Sequence, residues 1–221
     1  MSEPSAPLHV LISGGEGDLG RALQQAFSGD KVHAPDRRAM DVRDEKQVDA
    51  FFSGLEQLDV LIANAGVARD GLVASLNADD FADMVNTNLR GAFLCARAAL
   101  KLMVRQRHGH IILIGSRAAR YGPRGQSAYA AAKAGLVAFA QTIAKEYGGR
   151  NIRCNVVLPG FMETKMTAGL TKDRKEAVLT EHALDRFNTP ENAARFIAFL
   201  ARLDHVSGQV FTLDSRIDRW A

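Results

Sequence analysis

Tyr129 and Lys133 stand four residues apart in the alanine-rich run that begins near Ser127. If that run is a helix, one face carries both side chains. An ammonium near a phenol favours the phenolate, and the ordinary phenol pKa of about 10 is otherwise too high for proton chemistry near neutrality. Ser116 lies just upstream, directly after the apolar run Ile111-Ile112-Leu113-Ile114 and Gly115. That run reads as a buried strand, which places the Ser116 hydroxyl at a strand's C-terminal end, where open α/β sheets bind ligands. Between hydroxyl and phenol, Gly122-Pro-Arg-Gly125 reads as a turn. A Tyr/Lys pair at this spacing occurs by chance in many helices, so the specific signal is its combination with Ser116 and with a glycine-rich turn near the N-terminus.

That turn is Ser13-Gly14-Gly15-Glu16-Gly17-Asp18-Leu19-Gly20, between the apolar run Leu8–Ile12 and a helical pattern over 21–27. Strand, glycine turn and helix in this order suit a dinucleotide, because small residues permit the tight turn and close approach of a pyrophosphate to a helix N-terminus. Asp18 is the discordant residue, since a carboxylate near phosphates is unfavourable unless it points away. A second strand over 31–34 leads to Asp36-Arg37-Arg38, where an acid would bind an adenosine ribose and a base its 2′-phosphate. Only Pro35–Ala39 separates that strand from Met40-Asp41-Val42-Arg43-Asp44. A parallel crossover needs about a dozen residues. The third strand and the helix before it are therefore expected to be absent or vestigial, leaving six clear strands. Further along, a helix is expected over 45–55, a buried strand over 58–63 ending in Asn64-Ala65-Gly66, and a long helical tract over 78–107. A strand over 152–158 ends at Pro159-Gly160, Thr189-Pro190 starts a helix, and 207–214 reads as the last strand.

With these motifs in place the chain resembles the short-chain dehydrogenase/reductase family, most closely its 3-oxoacyl-[acyl-carrier-protein] reductases. The resemblance implies a Rossmann-like, doubly wound α/β fold and an oxidoreductase acting with NADP(H), slightly favoured, or NAD(H). It implies that Tyr129 protonates an alkoxide, that Lys133 lowers the Tyr129 pKa and binds the nicotinamide ribose, that Ser116 polarises a carbonyl and that Asn88 holds a relay water. It assigns cofactor contacts to Gly14, Gly15, Gly17, Leu19 and Gly20, to Asp36, Arg37, Asp41 and Val42, and to Asn64, Ala65 and Gly66. Tyr129 and Lys133 belong to that set too, as do Pro159, Gly160, Met162 and Thr164, whose matching residues hold the carboxamide. Arg107 and Arg150 match two carrier-binding arginines, so acyl carrier protein is a candidate partner. The family pattern is departed from at Ser13, at Gly17 and Asp18, over 36–44, and at Ser215-Arg216, where relatives carry Gly-Gly.

The 221 residues, 47% hydrophobic, suffice for one core, so a single domain over 1–221 is expected, with a substrate lid over 161–189. The sequence has no apolar run of membrane-spanning length and no signal-peptide pattern, which points to a cytoplasmic protein with no membrane partner. Cys95 and Cys154 read as reduced core thiols, and no metal site is expected. From Met84 to Lys145 there are ten Lys and Arg and no Asp or Glu, against a net charge of +3 for the whole chain. Two explanations stand: solvated helix faces balanced by acids elsewhere, or a positive rim for an acidic partner. No nucleic-acid reader motif accompanies these charges. A homodimer or homotetramer is expected. The substrate reading is a small-molecule or carrier-bound ketone, foremost a 3-oxoacyl thioester. The alternatives are a carbonyl reductase or alcohol dehydrogenase for another substrate, and a catalytically silent dinucleotide-binding regulator.

Overall fold

A computed structural model of the chain describes residues 6–217. Six parallel strands form one sheet: β1 (His9–Ser13), β2 (Lys31–His33), β3 (Val60–Ala63), β4 (Gly109–Ile114), β5 (Ile152–Leu158) and β6 (Val210–Thr212), in the order β2-β1-β3-β4-β5-β6. The four central strands are runs of Val, Ile and Leu because both sheet faces are covered. Along β1, Leu11 points to one core, while Val10 and Ile12 point to the other. The first core packs α2 (Glu45–Ser53), α4 (Gly91–Gln106) and α6 (Ser127–Tyr147) against the sheet, and the second packs α1 (Asp18–Ala26) and α8 (Pro190–Ala201). Cys95 and Cys154 are free and buried, and burial pushes the Cys95 thiol up to about 12.

The strand order reverses at β1, which has β2 on one side and β3 on the other. The C-terminal ends of β1 and β3 diverge in their connections there and open the crevice in which this architecture binds ligands. Residues 34–44 hold neither helix nor strand, and α2 follows directly, capped by the Asp44 carboxylate on the Lys46 and Gln47 amides. The segment is still anchored, with Met40 and Val42 buried in the first core.

The long helical tract is composite. α3 (Ala78–Val85) runs into a π-helical turn, Asn86–Arg90, in which the Gly91 amide donates to the Asn86 carbonyl, and α4 continues from it. α5 (Ala118–Tyr121) is one turn after Ser116, and α7 (Lys172–Leu179) lies within the 161–189 segment. The last strand is shorter than the sequence pattern suggests. Gly208, at φ +74°, lies outside strand geometry just before β6, although its amide still donates to the Cys154 carbonyl and the Val156 amide to the Gln209 carbonyl. Among the described residues no helix is long and apolar enough to cross a membrane.

Candidate active site

The C-terminal ends of β1 and β3 are stitched together by side chains. The buried Ser13 hydroxyl accepts the Asn64 and Ala65 amides, each at 3.1 Å, and Asn64 Nδ2 donates to the Ser13 and Gly14 carbonyls at 3.2 and 3.0 Å. Serine in place of threonine thus keeps the hydroxyl that fixes the turn. Gly14 is at φ +67°, and a Cβ there would lie 2.8 Å from Ala65 Cα. A Cβ on Gly15 would meet Ala34 Cβ at 2.8 Å, and one on Gly20 would meet Gly15 Cα at 2.8 Å. These three glycines are required by packing. Gly17 differs: it is the N-cap of α1, makes no side-chain cap, and a Cβ there would have ordinary clearance. The N-terminus of α1 thus presents uncapped amides to the cleft, the arrangement that receives a phosphate. Asp18 turns its carboxylate to the backbone of a different segment, where Oδ2 accepts the Lys165 amide at 2.7 Å.

The cleft, about 1140 Å³, runs from this turn to the end of β4. Its walls bring together Gly14, Gly17 and Leu19 with Asn64, Ala65 and Gly66, and these with Ser116, Tyr129, Lys133 and Asn88. Pro159, Gly160, Met162 and Thr164 form the wall beyond β5. Gly160, at φ +84°, packs where a Cβ would lie 2.7 Å from Asp214 Cβ. Gly15 and Gly20 lie behind the lining. Asp36, Arg37, Asp41 and Val42 do not line it either. Asp36 Oδ1 closes a turn on the Ala39 amide at 2.7 Å, and Asp41 is held by Arg37 at 3.1 Å and by Arg43 at 2.8 Å. Val42 is buried against Gly91.

Lys133 is 4% exposed, and its Nζ donates to the Ile114 carbonyl at 2.7 Å. Burial lowers its pKa to about 8. The Tyr129 pKa is raised, chiefly by burial; a hydrogen bond with Ser116 opposes the rise and the charge of Asp70 adds to it. Lys133 Nζ lies over the Tyr129 ring, 5.7 Å from its centroid. The cleft therefore holds a protonated phenol and the Ser116 hydroxyl next to a buried ammonium anchored on the end of β4. Asn88 is buried within the π turn. Its Oδ1 accepts the Val67 amide at 3.1 Å, and its Nδ2 donates to the Val67 and Met84 carbonyls, each at 2.9 Å. A Cβ on Gly66 would lie 2.6 Å from Asn88 Oδ1 and 3.7 Å from Lys133 Nζ, so Gly66 separates the two side chains without filling the gap.

Several supporting residues carry no sequence signal of their own. Thr167 Oγ1 donates to the Met162 carbonyl at 2.8 Å and accepts the Thr164 amide at 2.9 Å, fixing the turn that presents Thr164. Asn188 Nδ2 donates to the Pro159 and Leu213 carbonyls, each at 2.8 Å. Gln126 Nε2 donates to Asp70 Oδ1 at 3.0 Å, and the Gly71 amide to the Gly125 carbonyl at 2.8 Å, joining the two loops beside Tyr129. Arg107 and Arg150 lie elsewhere. Both are exposed, each two residues before its strand, and because Gly109 pairs with Ile152 they share the sheet's N-terminal edge, opposite the cleft.

A fold of this topology with a hydroxyl, a phenol and a buried ammonium at the switch-point cleft defines a class, and comparison with known proteins identifies it. A family model described as enoyl-(acyl carrier protein) reductase matches residues 10–215. The chain belongs to the short-chain dehydrogenase/reductase family and is an oxidoreductase of it. It is 39% identical over 185 residues to a 3-oxoacyl-[acyl-carrier-protein] reductase of Thermotoga maritima, covering 81% of this chain and 75% of that one. It is 34% identical over 229 residues to the enzyme of the same name from Mycobacterium bovis, covering 96% and 93%. A crystal structure of a short-chain dehydrogenase/reductase family oxidoreductase from Burkholderia thailandensis superposes with a TM-score of 0.86 at 28% identity, covering 96% of this chain and 92% of that one.

Proposed function

We propose that the protein is a nicotinamide-dependent reductase of ketones, with 3-oxoacyl thioesters as its substrate class and NADPH as the reductant, NADH being the alternative. The observation that carries the reading is the convergence of Ser116, Tyr129 and the buried Lys133 in the same cleft as the glycine turn. The relatives named above supply the substrate class. The cleft fits the cofactor: the lining glycines Gly14 and Gly17 present backbone without side chains at the turn, and the uncapped N-terminus of α1 suits the pyrophosphate. Met162 and Thr164, held by Thr167, would take the carboxamide. Bound there, the reduced nicotinamide supplies the hydride.

The chain's own residues then handle the oxygen. Ser116 donates a hydrogen bond to the ketone oxygen, polarising it as negative charge develops. Tyr129 gives that oxygen its proton. A phenol whose pKa is raised by burial is fully protonated at neutral pH, the state that an acid in the reductive direction needs. Lys133 holds positive charge over the ring of that phenol, 5.7 Å from its centroid. Asn88, through Val67 and Met84, fixes the loop after Gly66 and so the space beside Lys133. Residues 161–189 act as a lid attached through Asp18 and Lys165. The first test is turnover of an acetoacetyl thioester, followed at the nicotinamide absorbance with each reduced cofactor. Tyr129→Phe is expected to lower kcat by about 10²-fold or more, the range of general acid catalysis, while cofactor still binds. A wild-type protein that binds cofactor and reduces no ketone would refute the reading.

A further inference from the structure

Two arginines meet in the cleft, one of them at a departure from the family pattern. Arg117 directly follows Ser116, and Arg216 stands in the Ser215-Arg216 segment. Both line the substrate end of the cleft, and both are nearly buried, their side chains 16% and 11% exposed. They converge on one carboxylate oxygen: Glu181 Oε2 lies 3.2 Å from Arg117 Nη1 and 3.8 Å from Arg216 Nη1. Each guanidinium is held in place. Arg117 stacks over the Tyr121 ring at 4.2 Å, and Arg216 Nε donates to the buried Asp214 Oδ2 at 2.9 Å. The Glu181 side chain, by contrast, is 57% exposed, on a turn zipped to the 214–216 segment through the Ala183 amide and the Ser215 carbonyl.

Each arginine has other partners, the buried Asp214 for Arg216 and the Tyr121 ring for Arg117, and what the two share is a fork of donors directed at one point of the cleft wall, a planar geometry that suits a carboxylate in particular. The other acids of the lining are engaged elsewhere, Asp18 on the Lys165 amide and Asp70 on Gln126. Glu181 is the one with solvent available to receive it. Its carboxylate shows what kind of group the arginines accept. It can also leave without stranding a buried charge.

Building on the reductase reading, we propose that Arg117 and Arg216 form an anion subsite for a carboxylate carried by the ketone substrate, which displaces Glu181. Charge balances in the exchange, one carboxylate replacing another. The carboxylate has two chemical sources: the far end of a 3-oxoacyl thioester derived from a dicarboxylic acid, or the free acid of a short 3-oxo acid.

The test compares three ketones on the wild-type enzyme with reduced cofactor: the N-acetylcysteamine thioester of acetoacetate, the corresponding monothioester of 3-oxoadipate, and free acetoacetate. At least one anionic ketone is expected to exceed the neutral thioester in kcat/KM by about tenfold or more, a charge-assisted pairing's worth, and which one does so identifies the source. Arg117→Gln should collapse that anionic-to-neutral ratio. Glu181→Gln, which removes the competing carboxylate, should lower KM for the anionic ketone, and this variant keeps the test open if Arg117→Gln fails to fold. Calorimetric titration of the wild type with glutarate, which cannot be reduced, reads the subsite without turnover and should show binding that Arg117→Gln abolishes. A neutral thioester used as well as either acid, or a ratio insensitive to both substitutions, overturns the subsite and leaves the reductase reading standing. Absence of turnover with all three ketones, with glutarate bound, removes the reductase reading instead; absence of both removes the two together.

Discussion

Tyr129 and Lys133 show why spacing alone is an incomplete guide to proton chemistry. Four-residue separation brings both side chains to one cleft, yet burial dominates both pKa values, raising the phenol and lowering the ammonium to about 8. The Lys133 ammonium is anchored on the Ile114 carbonyl, with its Nζ 5.7 Å from the Tyr129 ring centroid. The Lys133 shift has a thermodynamic signature. A folded-state pKa of about 8 against 10.5 means that the unfolded chain keeps a proton which the folded chain sheds, so wild-type stability rises with pH between those values. Lys133→Met carries no such charge. Measured without cofactor by thermal unfolding, the stability of Lys133→Met relative to wild type should be greatest near pH 7 and fall by about 2–3 kcal/mol as pH rises to about 10. The orphaned Ile114 carbonyl adds an offset that is constant with pH, so the slope isolates the buried charge. A pH-independent difference would show that Lys133 is not desolvated as described.

The elements were legible wherever one local rule decided them. Strands β1, β3, β4 and β5 announce themselves as apolar runs because both faces of a parallel sheet are covered, and residues 34–44, which include the short link over 35–39, hold neither helix nor strand. β6 was overread at its start because Gly208 is compatible with a strand by composition, whereas its φ of +74° lies outside strand geometry even though its amide still bonds to the Cys154 carbonyl. The π turn at Asn86–Arg90 has no composition of its own, and its signature is the extra residue between carbonyl and amide. Asp18 illustrates a harder limit. Its partner, the Lys165 amide, lies 147 residues away, so nothing near Asp18 in the sequence could reveal why a carboxylate is tolerated beside an anion-binding turn. Arg117, Glu181 and Arg216 share that limit. His110 is a further element-scale device hidden in an apolar strand. Fully buried in β4, it pairs Nε2 with Asn155 Nδ2 of β5 at 2.9 Å, while Nδ1 faces the Ala201 carbonyl at the end of α8 at 3.4 Å. Burial foremost, with the positive charges of Arg153 and His108, lowers its pKa from 6.5 to about 3. The unfolded chain therefore takes up a proton that the folded one refuses, and stability is lost as pH falls below 6.5. Between pH 6.5 and about 5, wild type should lose on the order of 2 kcal/mol more than His110→Gln, read from urea unfolding at each pH. Parallel losses in the two proteins would remove His110 as the cause.

At the scale of the whole molecule, the cationic tract from Met84 to Lys145 divides into a part balanced within the fold and a part facing outward. On α4, Arg97 reaches Glu45 at 2.6 Å and Lys101 reaches Asp49 at 3.0 Å, so acids of α2 offset the basic face of that helix. Pairs as exposed as these add little stability and serve mainly to cancel charge. Arg107 belongs to the outward part. With Arg150 it occupies the N-terminal edge of β4 and β5, while Ser116 follows the far end of β4. At about 3.3 Å per residue, the nine positions from Arg107 to Ser116 separate edge and cleft by roughly 30 Å. An acidic carrier held at this edge must deliver its acyl group around the sheet, or into the cleft of a second copy of the chain. Either route makes the contribution of the two arginines one of encounter and docking. Charge reversal of both, Arg107→Glu with Arg150→Glu, should therefore lower kcat/KM for a carrier-bound 3-oxoacyl substrate by about tenfold or more relative to the same acyl group on N-acetylcysteamine. The effect should appear in KM, and added salt should weaken the wild-type preference for the carrier, because exposed charges are screened within about 8 Å at physiological ionic strength. A carrier-to-thioester ratio that survives the double reversal would place the docking surface elsewhere, with the basic residues bordering the cleft, Lys165 and Arg174, the next positions to reverse.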